Sequence, residues 1–302
     1  MEAQVTEIRD WLPGDIPSGV DAARPSPARI YDYFLGGTNN FPADRQVAEK
    51  VKADSPDVVD AVLANRGFHG RAAVWMARHG IAQFIDLGSG LPTQNNTHQS
   101  VRRVIPDARV VYVDIDPMVA AHAGTLLAGD GSTAVVTADL REPDVVLGHP
   151  GLRRLIDLSE PAGVLMTAAL HFVADESDPW LLVARYMAAV APGSYLALSH
   201  ATADYLPPRP VKEGVDTLNK AAIDVHLRSG AEVDRFFAGL EMVPPYEGAE
   251  PALSYVGVWG AEDVDAADTD GSRWGYCGVA RRPEAFTLRS GSAAQPSAGD
   301  AS

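Results

Sequence analysis

A single cysteine, Cys277, stands in 302 residues, so no disulfide can form within the chain. The opening Met1-Glu2-Ala3-Gln4 also lacks a basic and apolar leader, and the two absences together lead us to expect a reducing cytoplasm. Basic residues are few, 25 against 40 acidic ones, for a formal charge of −15. A phosphate backbone rewards clustered Lys and Arg, so nucleic acid is not an expected partner. Long apolar runs are missing too: the longest, residues 162–174, is shorter than a bilayer crossing and contains His171, which argues against a membrane partner. No His-x-x-x-His, cysteine pair or His-Glu-x-x-His occurs, and the acidic stretch 262–270 lacks the spacing of a calcium loop. We therefore expect no metal. Internal repeats are absent.

What is present is apolar and punctuated. At 46% apolar residues the chain can build one large α/β domain with extensions. Its focus is Ala82-Gln83-Phe84-Ile85-Asp86-Leu87-Gly88-Ser89-Gly90-Leu91, a short buried strand that ends in a carboxylate and two spaced glycines. Such glycines let the backbone turn within contact distance of a ligand, although a tight turn without a ligand reads the same way. Two further apolar runs end alike: Val110-Val111-Tyr112-Val113-Asp114 and Thr133-Ala134-Val135-Val136-Thr137-Ala138-Asp139. Ligands of open α/β sheets lie at the carboxyl ends of the strands, so Asp86, Asp114 and Asp139 are expected to converge there.

The order Asp86-Leu87-Gly88-Ser89-Gly90, then Asp114, then Asp139 resembles the Class I S-adenosylmethionine-dependent methyltransferases over about residues 80–200. A narrower likeness lies upstream. Pro27-Ala28-Arg29-Ile30-Tyr31-Asp32-Tyr33-Phe34-Leu35-Gly36-Gly37-Thr38-Asn39-Asn40-Phe41, followed by Asn65-Arg66, resembles the amino-terminal signature of an actinobacterial methyltransferase-like family long catalogued as a domain of unknown function. Together the two cover about residues 25–282. They imply a Rossmann-like, seven-stranded, mostly parallel and doubly wound sheet with an N-terminal helical lid.

Charge separates the two cofactors such a turn could take. A dinucleotide brings a pyrophosphate, which Asp86, two residues before the first glycine, would repel. S-adenosylmethionine brings an ammonium and a sulfonium, which Asp86 would attract. The third dinucleotide glycine is also replaced by Thr93. A nicotinamide-dependent oxidoreductase is thus the weaker reading. Leu91-Pro92 departs from the methyltransferase pattern, leaving Thr93, Asn95 or Asn96 either to hold the methionine end of the donor or simply to cap a helix.

By resemblance, Asp114 binds the ribose hydroxyls, Ile115 lies against the adenine, and Asp139 with the Leu140 amide reads its edge, with Gly88, Ser89 and Gly90 beneath the donor. Asp116 forms an Asp-x-Asp pair with Asp114, which reads either as a metal pair or as a helix cap before Pro117. In the signature, Gly37 could bring backbone to the donor, Tyr33 and Phe41 could wall it, and Arg66 could pair with its carboxylate. Core packing and a surface ion pair are the alternatives. His171, just past the fourth strand, stands where an acceptor would approach and could take its proton. A histidine packed at the sheet edge is its plainer role. His200 is a weaker candidate.

The remaining pattern gives expected boundaries. Residues 1–26 form a loose lead-in, 27–80 the lid, 81–284 the core with an insertion near 201–230, and 285–302, rich in Ser, Gly and Ala, a disordered tail. Strands are expected at 82–87, 110–114, 133–137, 162–168, 194–200, 240–243 and 274–280, with an added edge segment at 255–259. Helices are expected at 27–35, 43–53, 56–78 with a break at Gly67 and Gly70, 96–104, 117–128, 151–157, 177–191, 211–228 and 231–238. The function these features imply is methyl transfer from S-adenosylmethionine to a small molecule. A donor-binding regulatory protein without turnover is the alternative. The oligomeric state and the acceptor are not legible.

Overall fold

The computed structural model of the protein describes residues 16–92, 95–126, 129–205 and 208–286. The expectations for Thr93, for residues 1–15 and for the tail from 287 lie outside the described residues.

Eleven helices are described: α1 (Pro27–Phe34), α2 (Pro42–Asp54), α3 (Val58–Arg78), α4 (Thr97–Val101), α5 (Pro117–Leu126), α6 (Pro143–Gly148), α7 (Pro150–Arg153), α8 (Pro179–Ala189), α9 (Pro208–Lys220), α10 (Gly230–Asp234) and α11 (Val264–Ala267). Seven of the eleven start on proline, whose missing N–H costs nothing in a first turn. The strands are β1 (Gln83–Leu87), β2 (Arg109–Asp114), β3 (Thr133–Thr137), β4 (Gly163–Thr167), β5 (Tyr195–Ala201), β6 (Glu241–Met242), β7 (Ser254–Tyr255) and β8 (Gly275–Arg281).

They form one sheet in the order β3-β2-β1-β4-β5-β8-β6, with β7 also paired to β8. The first five strands are parallel, and β8 runs antiparallel to β5, β6 and β7. The expected seven-stranded sheet therefore gains an eighth strand, the edge piece at Ser254–Tyr255. Both faces are covered. Ile85, Leu87, Val111 and Val113 pack into one apolar layer with Val183 and Phe237, while Phe84, Val110 and Tyr112 pack into another with Phe68 and Met76 of α3. This double burial makes the β1 run continuously apolar instead of alternating.

The order in which strands are added reverses between the parallel neighbours β1 and β4, so the carboxyl ends of these two strands flank an open crevice. The paired residues Asp86↔Tyr112 and Asp114↔Thr137 bring the acidic strand tips to this same edge.

Several local expectations change. α3 runs unbroken through Gly67 and Gly70 because its buried face, including Phe68, Ala72, Ala73, Met76 and Ala77, is held against the sheet. That packing outweighs the cost of about 1 kcal/mol per helical glycine. Arg71 clamps the same helix to the chain before β8, donating to the carbonyls of Val256, Gly257 and Trp259. α9 ends at Lys220, not near 228, where Ala222 turns left-handed at φ 58° and the following segment runs over the crevice. The expected helix at 151–157 is replaced by the short pair α6 and α7, and α4 covers only five residues. From residue 16 the lead-in is packed, not loose: Ile16, Val20 and Ala22 lie against Phe41, Leu91, Met118 and Val119.

Candidate active site

The turn after β1 is shaped by conformation and by lack of side chains. Gly88 and Gly90 both take left-handed backbone angles, φ 71° and 64°. A Cβ on Gly88 would lie 2.6 Å from the Ala169 methyl, whereas one on Gly90 would project into open space. Gly90 donates its N–H to Oδ2 of Asp114 at 2.8 Å, and the Asp116 N–H meets Oδ1 at 2.9 Å. Asp114 is thereby locked at the end of β2, with the Ile115 N–H as a further backbone donor to its carboxylate. Burial pushes its carboxyl upward from the usual range. The next residue, Ile115, is 61% exposed although it is apolar.

These groups open onto a cavity of about 440 Å³. Gly88, Ser89, Gly90, Asp114, Ile115, Asp139 and Leu140 line one end of it. Both oxygens of Asp139 face the Arg141 guanidinium, so the carboxylate is already ion-paired. Burial raises its pKa, but the Arg141 side chain and amide pull it below the ordinary value overall.

Asp86 sits behind the cavity wall, 2% exposed. Its Oδ2 accepts from the Thr97 hydroxyl at 2.6 Å and lies 3.7 Å from Nε2 of His69. Thr97 Oγ1, having donated its proton to Asp86, can only accept at its 2.8 Å contact with His69 Nε2, which therefore carries a hydrogen. His69 Nδ1 then accepts from Thr167 at 2.9 Å, tying α3 to the tip of β4. Burial drives the two ionisations in opposite senses: Asp86 is raised to about 6, and His69 is lowered to about 3. Arg66 reaches the cavity from α3 and donates to Asn96 Oδ1 at 3.1 Å. Asn96 itself sits at the N-terminus of α4, where its N–H is taken by Gln99. Asn95 and Asn96 lie outside the cavity lining, so capping is what the geometry gives Asn96.

His171 lies on the wall beyond β4, in a short 3₁₀ turn. Its Nδ1 is buried with no hydrogen-bond partner. Burial, helped by His200, Arg228 and His226, holds its pKa well below the ordinary value, so the ring is neutral. His200 stands beside it, with ring centroids 5.7 Å apart, but is occupied: Nδ1 faces the Ala201 carbonyl at 2.8 Å and Nε2 faces Arg228 Nη1 at 2.7 Å. Arg228 is 3% exposed and is neutralised by Asp175 and by the carbonyls of Leu170 and Val173.

The amino-terminal signature proves to be a buried polar brace. Arg29 donates to Asp44 and to Asp116, each at 2.9 Å, and Ser26 also donates to Asp116. Asp116 thus carries no metal role here; it caps α5 through the Met118 N–H and pairs with Arg29. Tyr33 is displaced from its expected place at the donor: it points to Glu49, with Lys52 over its ring, because α1 turns Tyr31 and Phe34 toward the cavity instead. Gly37 is likewise away from the cavity. A Cβ there would meet the Asp32 carboxylate at 2.1 Å, and Asp32 binds Asn39 and Asn40. Phe41 is core, stacked on Arg29.

Arg29, Asn65, His69 and Arg228 hold the site together, and sequence reading gave none of them a structural task. Only Arg29 and Asn65 had a signal, since both fall within the quoted signature. His69 and Arg228 act through partners about a hundred and about thirty to sixty residues away in sequence.

The crevice, with glycines under it, a locked carboxylate at β2 and an uncovered apolar residue beside that carboxylate, defines a nucleoside-binding α/β enzyme site. The pattern that defines the S-adenosyl methyltransferase family matches residues 14–283. The chain belongs to that family. It is 39% identical to a candidate methyltransferase of Thermobifida fusca, with 88% of this chain and 98% of that one covered and a TM-score of 0.81. It is 37% identical to a DUF574 family protein of Streptomyces avermitilis, covering 87% and 99%, again at a TM-score of 0.81. No curated protein matches it. S-adenosylmethionine is accordingly the methyl donor, and the bare Gly90 cradle and the uncovered Ile115 fit an adenosine. Among the described residues no helix is long and apolar enough to cross a membrane, and no cluster of metal-ligating side chains is found.

Proposed function

We propose that this methyltransferase acts on a small molecule in the cytoplasm, with residues 27–80 and the 201–230 insertion forming a lid over a core at 81–284. The observation that carries this reading is the single cavity that runs from the Gly88 to Gly90 turn to apolar walls supplied by α1, α3 and α9. A continuous, half-open cleft of this kind suits a donor and a small acceptor meeting side by side.

When bound, S-adenosylmethionine supplies an electrophilic methyl group. Asp114 would hold the ribose hydroxyls, and Ile115 and Leu140 would pack the adenine. Asp139, shared with Arg141, and the Leu140 amide read the base edge. Arg66 faces the donor's carboxylate, and Asp86 contributes negative charge from beneath the turn. Methyl transfer needs alignment more than acid or base, so most of the rate comes from holding the acceptor in line. The neutral His171 ring receives the acceptor's proton where there is one.

Calorimetric titration with S-adenosylmethionine and S-adenosylhomocysteine, with Asp114→Ala as control, tests the donor half. Absence of binding heat for both ligands in the wild type would refute it. A methyl-transfer screen over acceptors tests turnover: tight donor binding without product from any acceptor class would favour a regulatory role.

A further inference from the structure

We infer that the acceptor is an uncharged, mainly apolar molecule with one proton-bearing nucleophilic atom, seated between α1, α9 and His171. This rests on the small-molecule reading above and narrows it.

The formally charged side chains of the cavity are segregated. Arg66, Asp114, Asp116, Asp139 and Arg141 stand on α3 and at the tips of β2 and β3, where the donor lies. Another stretch of the lining is apolar: Ile30, Phe34, Leu218, Ile223 and Val225 pack in one cluster, and Val215 lines the cavity with them. Several polar groups beside it are spent on one another or on the backbone. The Tyr31 hydroxyl donates to the Val62 carbonyl and accepts from Asn65, whose Oδ1 accepts from Ser199. His200 is held between Ala201 and Arg228, and the Arg228 charge is met by Asp175 at 2.6 Å. A carboxylate or ammonium entering here would lose its water and gain no counter-charge.

Among the described residues, two buried polar atoms of the lining have no partner: Nε1 of Trp274, which can only donate, and Nδ1 of His171. The His171 ring, unpaired at Nδ1, borders the same space. The surroundings of this ring oppose a lasting positive charge, but a freshly methylated, still protonated oxygen is a far stronger acid than imidazolium, so the ring can relay its proton. In the transfer, the acceptor's heteroatom uses its electron pair to bond the methyl carbon, the carbon–sulfur pair returns to sulfur, and the displaced proton passes to His171 and then to water. Phenols and enols have this chemistry; carboxylates, with no proton to give up, and alkylammonium ions, with no free electron pair, do not.

The test uses the full chain saturated with S-adenosylhomocysteine and three probes of matched shape: 2-naphthol, 2-naphthoate and 2-naphthylmethylammonium. We expect the neutral probe to bind at least about tenfold more tightly than either charged one, the size of effect that an unpaired buried charge produces. Equal or tighter binding of a charged probe overturns the proposal, as does failure of all three probes while the homocysteine derivative binds. Failure of that derivative itself would instead strike the donor reading. Leu218→Lys, or Val215→Lys should the first variant not fold, is expected to turn the preference toward 2-naphthoate by about tenfold. No change in preference in a folded variant removes the acceptor from this chamber.

Discussion

Arg29 and Asp116 lie 87 residues apart in sequence and 2.9 Å apart in space, both buried, and Asp44 accepts from the same guanidinium. The contact joins the first helix to the segment that positions Asp114, since Asp116 also gives its N–H to Asp114. Removing one member of such a group leaves buried charge without a partner, which typically costs 3–5 kcal/mol. Arg29→Met is expected to lower unfolding free energy by about that amount in denaturant titration and to weaken donor binding as well. Arg29→Lys restores charge but not the two-sided fork, so it should recover only part of either loss. A variant that binds the donor normally would show that the brace and the pocket are independent.

Asp86 predicts a trade between stability and binding. Its carboxyl is raised from 3.8 to about 6, chiefly by burial. The folded state then holds the proton more tightly than the unfolded one, so the stabilising contribution is complete below about pH 4 and is lost as pH rises through about 6. Above that range the ionised group costs about 3 kcal/mol at most. Asp86→Asn keeps the shape and can still accept from Thr97. It should be more stable than the wild type at pH 7.5, with the advantage shrinking toward pH 4, and it should bind S-adenosylmethionine less tightly. Unfolding titrations at three pH values and calorimetry decide both halves. His69 works in the opposite sense: lowered to about 3, it withdraws stability as pH falls below 6.5.

The parts of this architecture that could be read in advance are those where burial acts on contiguous residues. β1 and β2 are sheathed on both faces, so their apolar runs were visible, and the carboxylates ending them marked the binding edge. What escaped depends on distant partners. Gly67 and Gly70 look like breaks until the packed face of α3 is seen. The left-handed turn at Ala222 has no glycine or asparagine to announce it. Strand-end position, the Asp-Leu-Gly-Ser-Gly pattern and charge all point Asp86 at the donor, but Thr97 and His69 surround it. Tyr33 and Tyr31 differ by two positions on one short helix, and only the docking of that helix decides which one faces the cavity.

The two glycines of the β1 turn should fail differently. In Gly88→Ala the new methyl group would lie 2.6 Å from Ala169 at a φ of 71°, so left-handed strain of about 1–2 kcal/mol adds to a clash with a packed neighbour. Loss of stability should dominate. Gly90→Ala has similar strain but no neighbour within 4 Å, and its methyl group would enter the donor's space. Here thermal unfolding should shift less and S-adenosylhomocysteine affinity more. The comparison is made by melting and calorimetry on both variants, and an inverted order would mean that the donor does not cross Gly90.

Cys277 offers a probe of the sheet itself. It lies in β8 between Ser199 of β5 and Ser254 of β7, fully buried, and burial pushes its thiol well above the ordinary range despite the pull of Arg71. Thiolate is the reactive form, so both access and ionisation oppose modification in the native state. An aromatic disulfide reagent should find no reactive thiol in the folded protein and one equivalent after denaturation. Reaching the sulfur requires β8 to leave at least one neighbour, which also opens the core beneath α3. Slow native-state labelling should therefore follow the free energy of global opening, speeding up as denaturant-measured stability falls across the Arg29 and Gly88 variants. Labelling that ignores those variants would mean that the β8 edge opens locally.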